Sequence, residues 1–218
     1  MNIKVRQLTL SDIEHILTLQ QEVIQFLEDK NRLSSLSEEE YMYIFNDNGL
    51  IIGAFDREKL IAFRALLDPS IDEEHLGLDI GLKKSELKQV IYQEISIVHP
   101  DYRGHGLQQT LARLIMNEFE KQEHDYRYVC CTVAPFNIPS LKDKFRQGLE
   151  MAALKYKYET KLRYIFVKDL KDLTDRIWNE SKVVDMDDTT YQQELFAKGW
   201  RGYEMFKEED RYKVKFGK

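Results

Sequence analysis

Apolar and polar residues alternate through "IKVRQLTL", residues 3–10, the period-two pattern of a half-buried strand. The period then lengthens. Ile13, Ile16, Leu17, Ile24 and Leu27 recur at steps of three, four and seven, which places them on one face of a helix. Ser11 with Glu14 has the spacing of a capping box, in which each side chain satisfies a free amide of the first turn. A second such pair, Ser37 with Glu40, opens another helical stretch. The runs "LIIGAF" and "LIAFRALL", separated by "DREK", predict a hairpin with a short polar turn. From 68 to 89 the chain turns polar and reads in two ways: a solvated loop with a short helix, or a flap over a substrate mouth. Glu73, Glu74 and His75 within it lack metal-ligand spacing and are expected to be solvated.

Beyond this stretch "VIYQEISIV" predicts a strand, and Leu107, Leu111, Leu114, Ile115 and Phe119 form a helical stripe. "YRYVCCTV" reads as a buried strand, "NIPSLKDKFRQG" as a short helix stopped by Gly148, and "MAALKYKYE" and "LRYIFVKDL" as two more strands. Residues 171–218 add further elements, including a helix that starts near Asp188 or Thr189 and ends before Gly199. Trp178, Leu195, Phe196, Trp200, Tyr203 and Phe206 are costly to leave in water, so this extension is expected to pack on the α/β domain formed by residues 1–170.

Composition narrows the function classes. Of 218 residues 43% are hydrophobic and 32% charged, the balance of a globular rather than a disordered chain. Lysine plus arginine number 32 against 38 for aspartate plus glutamate, a net charge of −6, which argues against a protein devoted to neutralising nucleic-acid phosphates. No run of about 18 apolar residues is long enough to span a bilayer, and the start lacks an apolar signal core. Cys130 and Cys131 are adjacent in a strand and point to opposite faces, so a disulfide between them is not expected. A reducing cytoplasm is therefore the expected location.

The chemistry concentrates in "VHPDYRGHGLQQTL", residues 98–111, where a strand runs through a basic glycine turn directly into a helix. Such a junction leaves backbone amides converging on one spot with the positive end of the helix dipole behind them, a site for an anion. Gly104 and Gly106 allow an anionic group close to the backbone, Arg103 adds a charged donor and His105 a neutral or cationic one. Phosphate is the natural guest. "GHGLQQ" lacks the third glycine of the dinucleotide fingerprint, and no lysine followed by serine or threonine completes a P-loop.

The stretch resembles the acyl-CoA signature of the GNAT family of N-acetyltransferases: Arg103 and Gly106 match its first and second fixed positions, while Gln108 stands at the third, where the family has a small residue. Downstream, Asn137, Ser140 and Gly148 in "NIPSLKDKFRQG" are similar to the family's second signature. The resemblance covers residues 1 to about 170. It implies a central mixed sheet flanked by helices and splayed open between the strand ending at Val98 and "YVCCTV". It further implies a pantetheine arm paired with the backbone of Ile97 and Val98, a diphosphate on the amides from Arg103 through Gly104, His105, Gly106 and Leu107 to Gln108, and Asn137 and Ser140 lining the thiol end. Asn137 and Ser140 read equally well as a cap of the following helix.

Acetyl transfer to an amine requires a base, since an ammonium with a pKa near ~10.4 has no free lone pair at neutral pH. Glu94, four residues before Val98 and so placed on the same strand face, is the candidate, working through a bridging water. Where many relatives carry a tyrosine that protonates the leaving thiolate, this chain has Lys144, which reads either as a charge that steadies the thiolate or as a surface lysine with no role. The cysteines read as core residues rather than acyl carriers. The implied activity is acetyl transfer from acetyl-CoA, without a metal, to a small-molecule amine or a lysine-bearing peptide, with no nucleic-acid or membrane partner and a possible homodimer. The alternatives are an inactive acyl-CoA sensor of the same fold and a nucleotide-binding protein that uses "RGHG" for another phosphate.

Overall fold

The structure, a computed structural model, describes residues 3–27, 33–135, 137–158, 160–172 and 176–218. It divides into two compact units: residues 1–68 with 92–124, and 69–91 with 125–218. The division does not fall at residue 170, because the extension shares a unit with everything from 125 onward. Helices flank open sheets in an α/β architecture, as the order of sequence patterns predicts.

In the first unit β1 (Ile3–Gln7), β2 (Gly49–Asp56), β3 (Lys59–Leu67) and the part of β4 (Val90–Val98) from Tyr92 onward form an antiparallel meander. Helices α1 (Ile13–Gln25) and α2 (Glu38–Tyr43) cover one face. There Ile16, Leu19, Val23, Tyr41 and Ile44 meet Ile51, Phe63, Ala65, Ile95 and Ile97 in a buried core. Leu19 and Val23 therefore carry the stripe that Ile24 and Leu27 were expected to complete. The longer helix preceded by the glycine turn packs against β2 and β3.

The first capping box differs from the expected one. Thr9 and Asp12, rather than Ser11 and Glu14, form it, with the Thr9 amide donating to Asp12 Oδ2 at 2.9 Å. Arg6 at the end of β1 decides the matter. Its guanidinium donates to both oxygens of Asp12 at 2.6 and 2.8 Å, fixing that carboxylate at the entry of the helix. The second box stands as predicted: the Glu40 amide donates to Ser37 Oγ and the Ser37 amide to Glu40 Oε2.

The second unit holds an antiparallel sheet in the order β5 (Tyr128–Val133), β7 (Lys161–Asp169), β6 (Glu150–Lys157), β9 (Arg201–Glu208), β10 (Arg211–Gly217), β8 (Ser181–Asp185). The extension thus continues the sheet, joining it where Gly202 of β9 pairs with Met151 of β6. Helix α5 (Ile138–Arg146) and helix α6 (Thr189–Ala197) pack on it around Leu141, Met151, Tyr164, Phe166, Leu195, Trp200, Val214 and Phe216. Trp178 stacks on Tyr203, with ring centroids 5.2 Å apart.

The polar stretch at 69–89 is fastened rather than free. It carries α3 (Leu76–Asp79), and His75 is buried, not solvated, because its Nδ1 accepts from the Gly77 amide and caps this turn. Lys157 of β6 donates to the Glu74 carbonyl and to Asp79 Oδ2, while Lys155 reaches Asp79 Oδ1 at 2.8 Å. Among the described residues no helix is long and apolar enough to cross a membrane.

Candidate functional site

The site begins with a break in the β3–β4 ladder. Leu66 pairs with Gln93 and Ala65 with Ile95, so Glu94 is the extra residue of a bulge. Strict alternation fails there. Ile95 and Ile97 face α1 and α2, which puts Val98 on the opposite face, whereas the charge of Glu94 acts on Tyr41 of α2. Glu94 and Val98 therefore occupy opposite faces of β4, and the same-face relation expected from their spacing of four is corrected by the bulge.

Past the bulge the ladder is regular. The His99 amide donates to the Ile61 carbonyl at 2.8 Å, which fixes the phase of hydrogen bonding. In an antiparallel pair the bonded positions alternate, so the backbone groups of Ile97 are turned toward Phe63 and those of Ser96 and Val98 away from β3. Of the two residues expected to offer backbone to a ligand, Val98 has its amide and carbonyl free of this ladder and Ile97 is committed to it.

His99 and Pro100 then turn the chain. His99 is 5% exposed; its Nδ1 accepts from the Asp101 amide, and its Nε2 lies 3.4 Å from both Glu22 Oε2 and Lys59 Nζ. The Tyr102 hydroxyl donates to Asp56 Oδ2 at 3.1 Å, tying the turn to the β2–β3 hairpin. From this anchored base Arg103, Gly104, His105 and Gly106 emerge into solvent. Both glycines have left-handed backbones, φ +81° and +70°, and a Cβ at either would meet no atom within 4 Å. Glycine is needed here for conformation, and the space beside it is open.

Gly106 leads into α4 (Leu107–Phe119), whose first residue, Leu107, is buried and holds the helix start against the core. The first backbone bond of the helix runs from the Thr110 amide to the Gly106 carbonyl at 3.0 Å. Among the described residues none accepts from the amides of Gly104 through Gln109, while the Arg103 amide is engaged by the Pro100 carbonyl. The cradle thus consists of the amides after Arg103, with the exposed Arg103 side chain beside them. His105 turns back: its Nδ1 lies 3.0 Å from the Arg103 carbonyl and 3.3 Å from that of Tyr102, so Nδ1–H is the donor and the ring is occupied within the turn. This constellation of unbonded amides, an αL cap and an exposed arginine has the donors and the charge that suit an anion.

Sequence reasoning passed over Arg64. It lies in the middle of β3, is 0% exposed, and donates to Gln93 Oε1 at 2.8 Å and to the Gln108 carbonyl at 3.3 Å. The signal was present in "LIAFRALL", where an arginine interrupts an otherwise apolar strand.

In the second unit Asn137 and Ser140 stand at the start of α5. Asn137 Oδ1 accepts from the Ser140 amide at 3.4 Å, so Asn137 is the N-cap of this helix. Lys144, seven residues beyond Asn137 on the same helix, is buried at 6% exposure rather than on the surface, with Nζ 3.9 Å from the Asp143 carboxylate. Cys130 and Cys131 are free and buried, and burial pushes the Cys130 thiol well above its ordinary pKa, which removes it as a nucleophile.

No protein-family profile matches the sequence, and no curated protein matches it. Solved structures do. The chain superposes on the acetyltransferase of the GNAT family from Streptococcus pneumoniae with a TM-score of 0.58 at 15% identity, covering 78% of this chain and 100% of that one. A Salmonella typhimurium protein whose structure holds its cofactor acetyl-CoA gives a TM-score of 0.57 at 10% identity, covering 81% and 99%. The ribosomal-protein-S18-alanine N-acetyltransferase from Escherichia coli gives 0.56 at 14% identity, also covering 81% and 99%. The chain has the fold of the GNAT acetyltransferases.

Proposed function

We propose that this chain, built on the GNAT acetyltransferase fold, moves an acetyl group from acetyl-CoA to a primary amine by direct attack within a ternary complex. The observation that carries this reading is the exposed turn of Gly104 and Gly106, which opens the amides of Gly104 through Gln109 at the start of α4 beside Arg103. A doubly charged diphosphate matches such a cradle in charge and in the number of donors it accepts. The likeness to a protein solved with acetyl-CoA supports coenzyme A as the carrier of that diphosphate.

The donor's pantetheine amides would add to the backbone of Val98, whose polar groups point away from β3. The same Val98 amide is the candidate donor to the oxyanion formed when the amine attacks the thioester carbonyl. Glu94 is the proposed base, accepting the ammonium proton through a water; the bulge re-aims its carboxylate toward α1 and α2, and the acceptor amine is proposed to enter from that face. Lys144 is the proposed counter-charge for the departing thiolate, since a buried ammonium stabilises a neighbouring anion more strongly than a solvated one. Ser140 and the carboxamide nitrogen of Asn137, whose oxygen is engaged in the cap, are the proposed contacts at the thiol end. The acceptor class is a small amine or a peptide amine, and the likeness to an enzyme named for a protein alanine keeps peptide N-termini in the panel beside lysines.

Calorimetry with coenzyme A, followed by thiol release from acetyl-CoA over polyamines, amino acids, aminoglycosides and peptides, tests this reading. Saturable coenzyme A binding with thiol release on at least one acceptor is expected. Absence of binding at millimolar coenzyme A overturns the donor assignment, and binding without release for acetyl and longer acyl donors makes the chain a sensor.

A further inference from the structure

We propose that Arg64 is a positioning residue for the acyl donor: from inside the sheet its guanidinium holds the first turn of α4 in the orientation that lets the free amides converge on a diphosphate. The inference rests on the donor reading above and adds to it a residue that touches no ligand.

A buried arginine has to be explained. Taking a guanidinium out of water is costly unless its donors are satisfied, and an apolar residue at the centre of "LIAFRALL" would pack β3 against α4 without that cost. The side chain lies on the α4 face of the sheet, opposite in phase to Phe63 and Ala65, and each arm of its fork reaches a different element. Nη2 donates to Gln93 Oε1 at 2.8 Å, on the residue immediately before the bulge at Glu94. Nη1 donates to the carbonyl of Gln108, which shares its peptide plane with the Gln109 amide of the cradle.

Two consequences follow. The peptide between Gln108 and Gln109 cannot rotate without losing the Arg64 bond, so the Gln109 amide, and through it the first turn, is held in place before any ligand arrives, and preorganised donors bind an anion without a further ordering cost. The guanidinium also adds positive potential behind the helix terminus. The planar fork is essential, because an ammonium on a single stem offers a point charge and does not span Gln93 and Gln108 with two directed bonds.

The test compares Arg64→Gln and Arg64→Lys with the unaltered chain, measuring affinity for coenzyme A, affinity for pantetheine, which lacks the diphosphate, and melting temperature. Coenzyme A affinity is expected to fall about 10- to 100-fold in Arg64→Gln, with pantetheine affinity held within about twofold. Arg64→Lys is expected to lose at least about threefold for coenzyme A, since one of the two bonds is gone. Equal losses for both ligands, or coenzyme A affinity unchanged in Arg64→Gln, overturns the proposal. Should Arg64→Gln not fold, Arg64→Lys decides it: wild-type coenzyme A affinity in that variant overturns the proposal. An unaltered chain that binds no coenzyme A fails at the earlier step and overturns the donor reading itself.

Discussion

Glu94 of β4 lies near enough to Tyr41 of α2 for its charge to act on it: burial, and after it the carboxylates of Glu40 and Glu94, hold the Tyr41 phenol above its ordinary pKa. That placement follows from the bulge between Gln93 and Ile95, which turns Glu94 away from the face of Val98. Glu94→Gln preserves shape and removes the basic oxygen. The turnover of the active acceptor is expected to fall about 10²- to 10⁴-fold. Coenzyme A affinity stays within about twofold, because no bond to the diphosphate cradle is altered. Steady-state kinetics paired with calorimetry measure the two effects separately, and equal turnover in Glu94→Gln removes Glu94 from the mechanism.

Gly106→Ala places a methyl group in open space, so the cost is conformational, about 1–2 kcal/mol for a left-handed alanine. The melting temperature should fall by about 2–8 °C. The affinity for coenzyme A should fall by at least about tenfold, since the methyl group stands beside the amides that receive the diphosphate. A variant that loses stability but binds coenzyme A as before would place the diphosphate elsewhere.

Arg6 and Asp12 set an acid limb of stability. The Arg6 hydrogen bonds, opposed in part by burial, lower the Asp12 carboxyl to about 2. A carboxyl whose folded pKa lies below its unfolded value stabilises above the unfolded pKa and ceases to do so as pH falls through the folded one. The contribution is therefore present above about pH 4 and gone below about pH 2. Half-exposure of Arg6 limits it to on the order of 1–2 kcal/mol. Asp12→Asn should be less stable than the unaltered chain at neutral pH, and the difference should close on acid titration over that window. Urea unfolding across the pH series measures this, and a difference independent of pH argues against the pair.

The extension belongs to the core of the second unit. Phe216 of β10 is 0% exposed, packs edge-on against Phe196, and belongs to the cluster that includes Met151 and Tyr164. Phe216→Ala should cost about 3–5 kcal/mol and lower the melting temperature by about 6–20 °C. Differential scanning calorimetry reads the effect, and a fall under about 2 °C would mean that the extension is an independent appendage.

The sequence by itself determined much of this protein. Alternation and helical periodicity are local, so the order of strands and helices through residue 170, the second capping box and the buried cysteine strand were all legible. The glycine turn was equally legible, since glycine pairs, a basic residue and the strand-to-helix step lie within one short segment. Tertiary structure decided what depends on partners distant along the chain. Arg6 chose Asp12 over Glu14 at the first cap, Lys157 drew the acidic insertion onto β6, and Lys144 was buried by the packing of α5. The bulge at Glu94 exists only as a mismatch with β3, and a one-residue slip reverses every side-chain direction counted across it. Arg64 looks like an interruption in the sequence; Gln93 and Gln108, 29 and 44 residues away, give it a purpose.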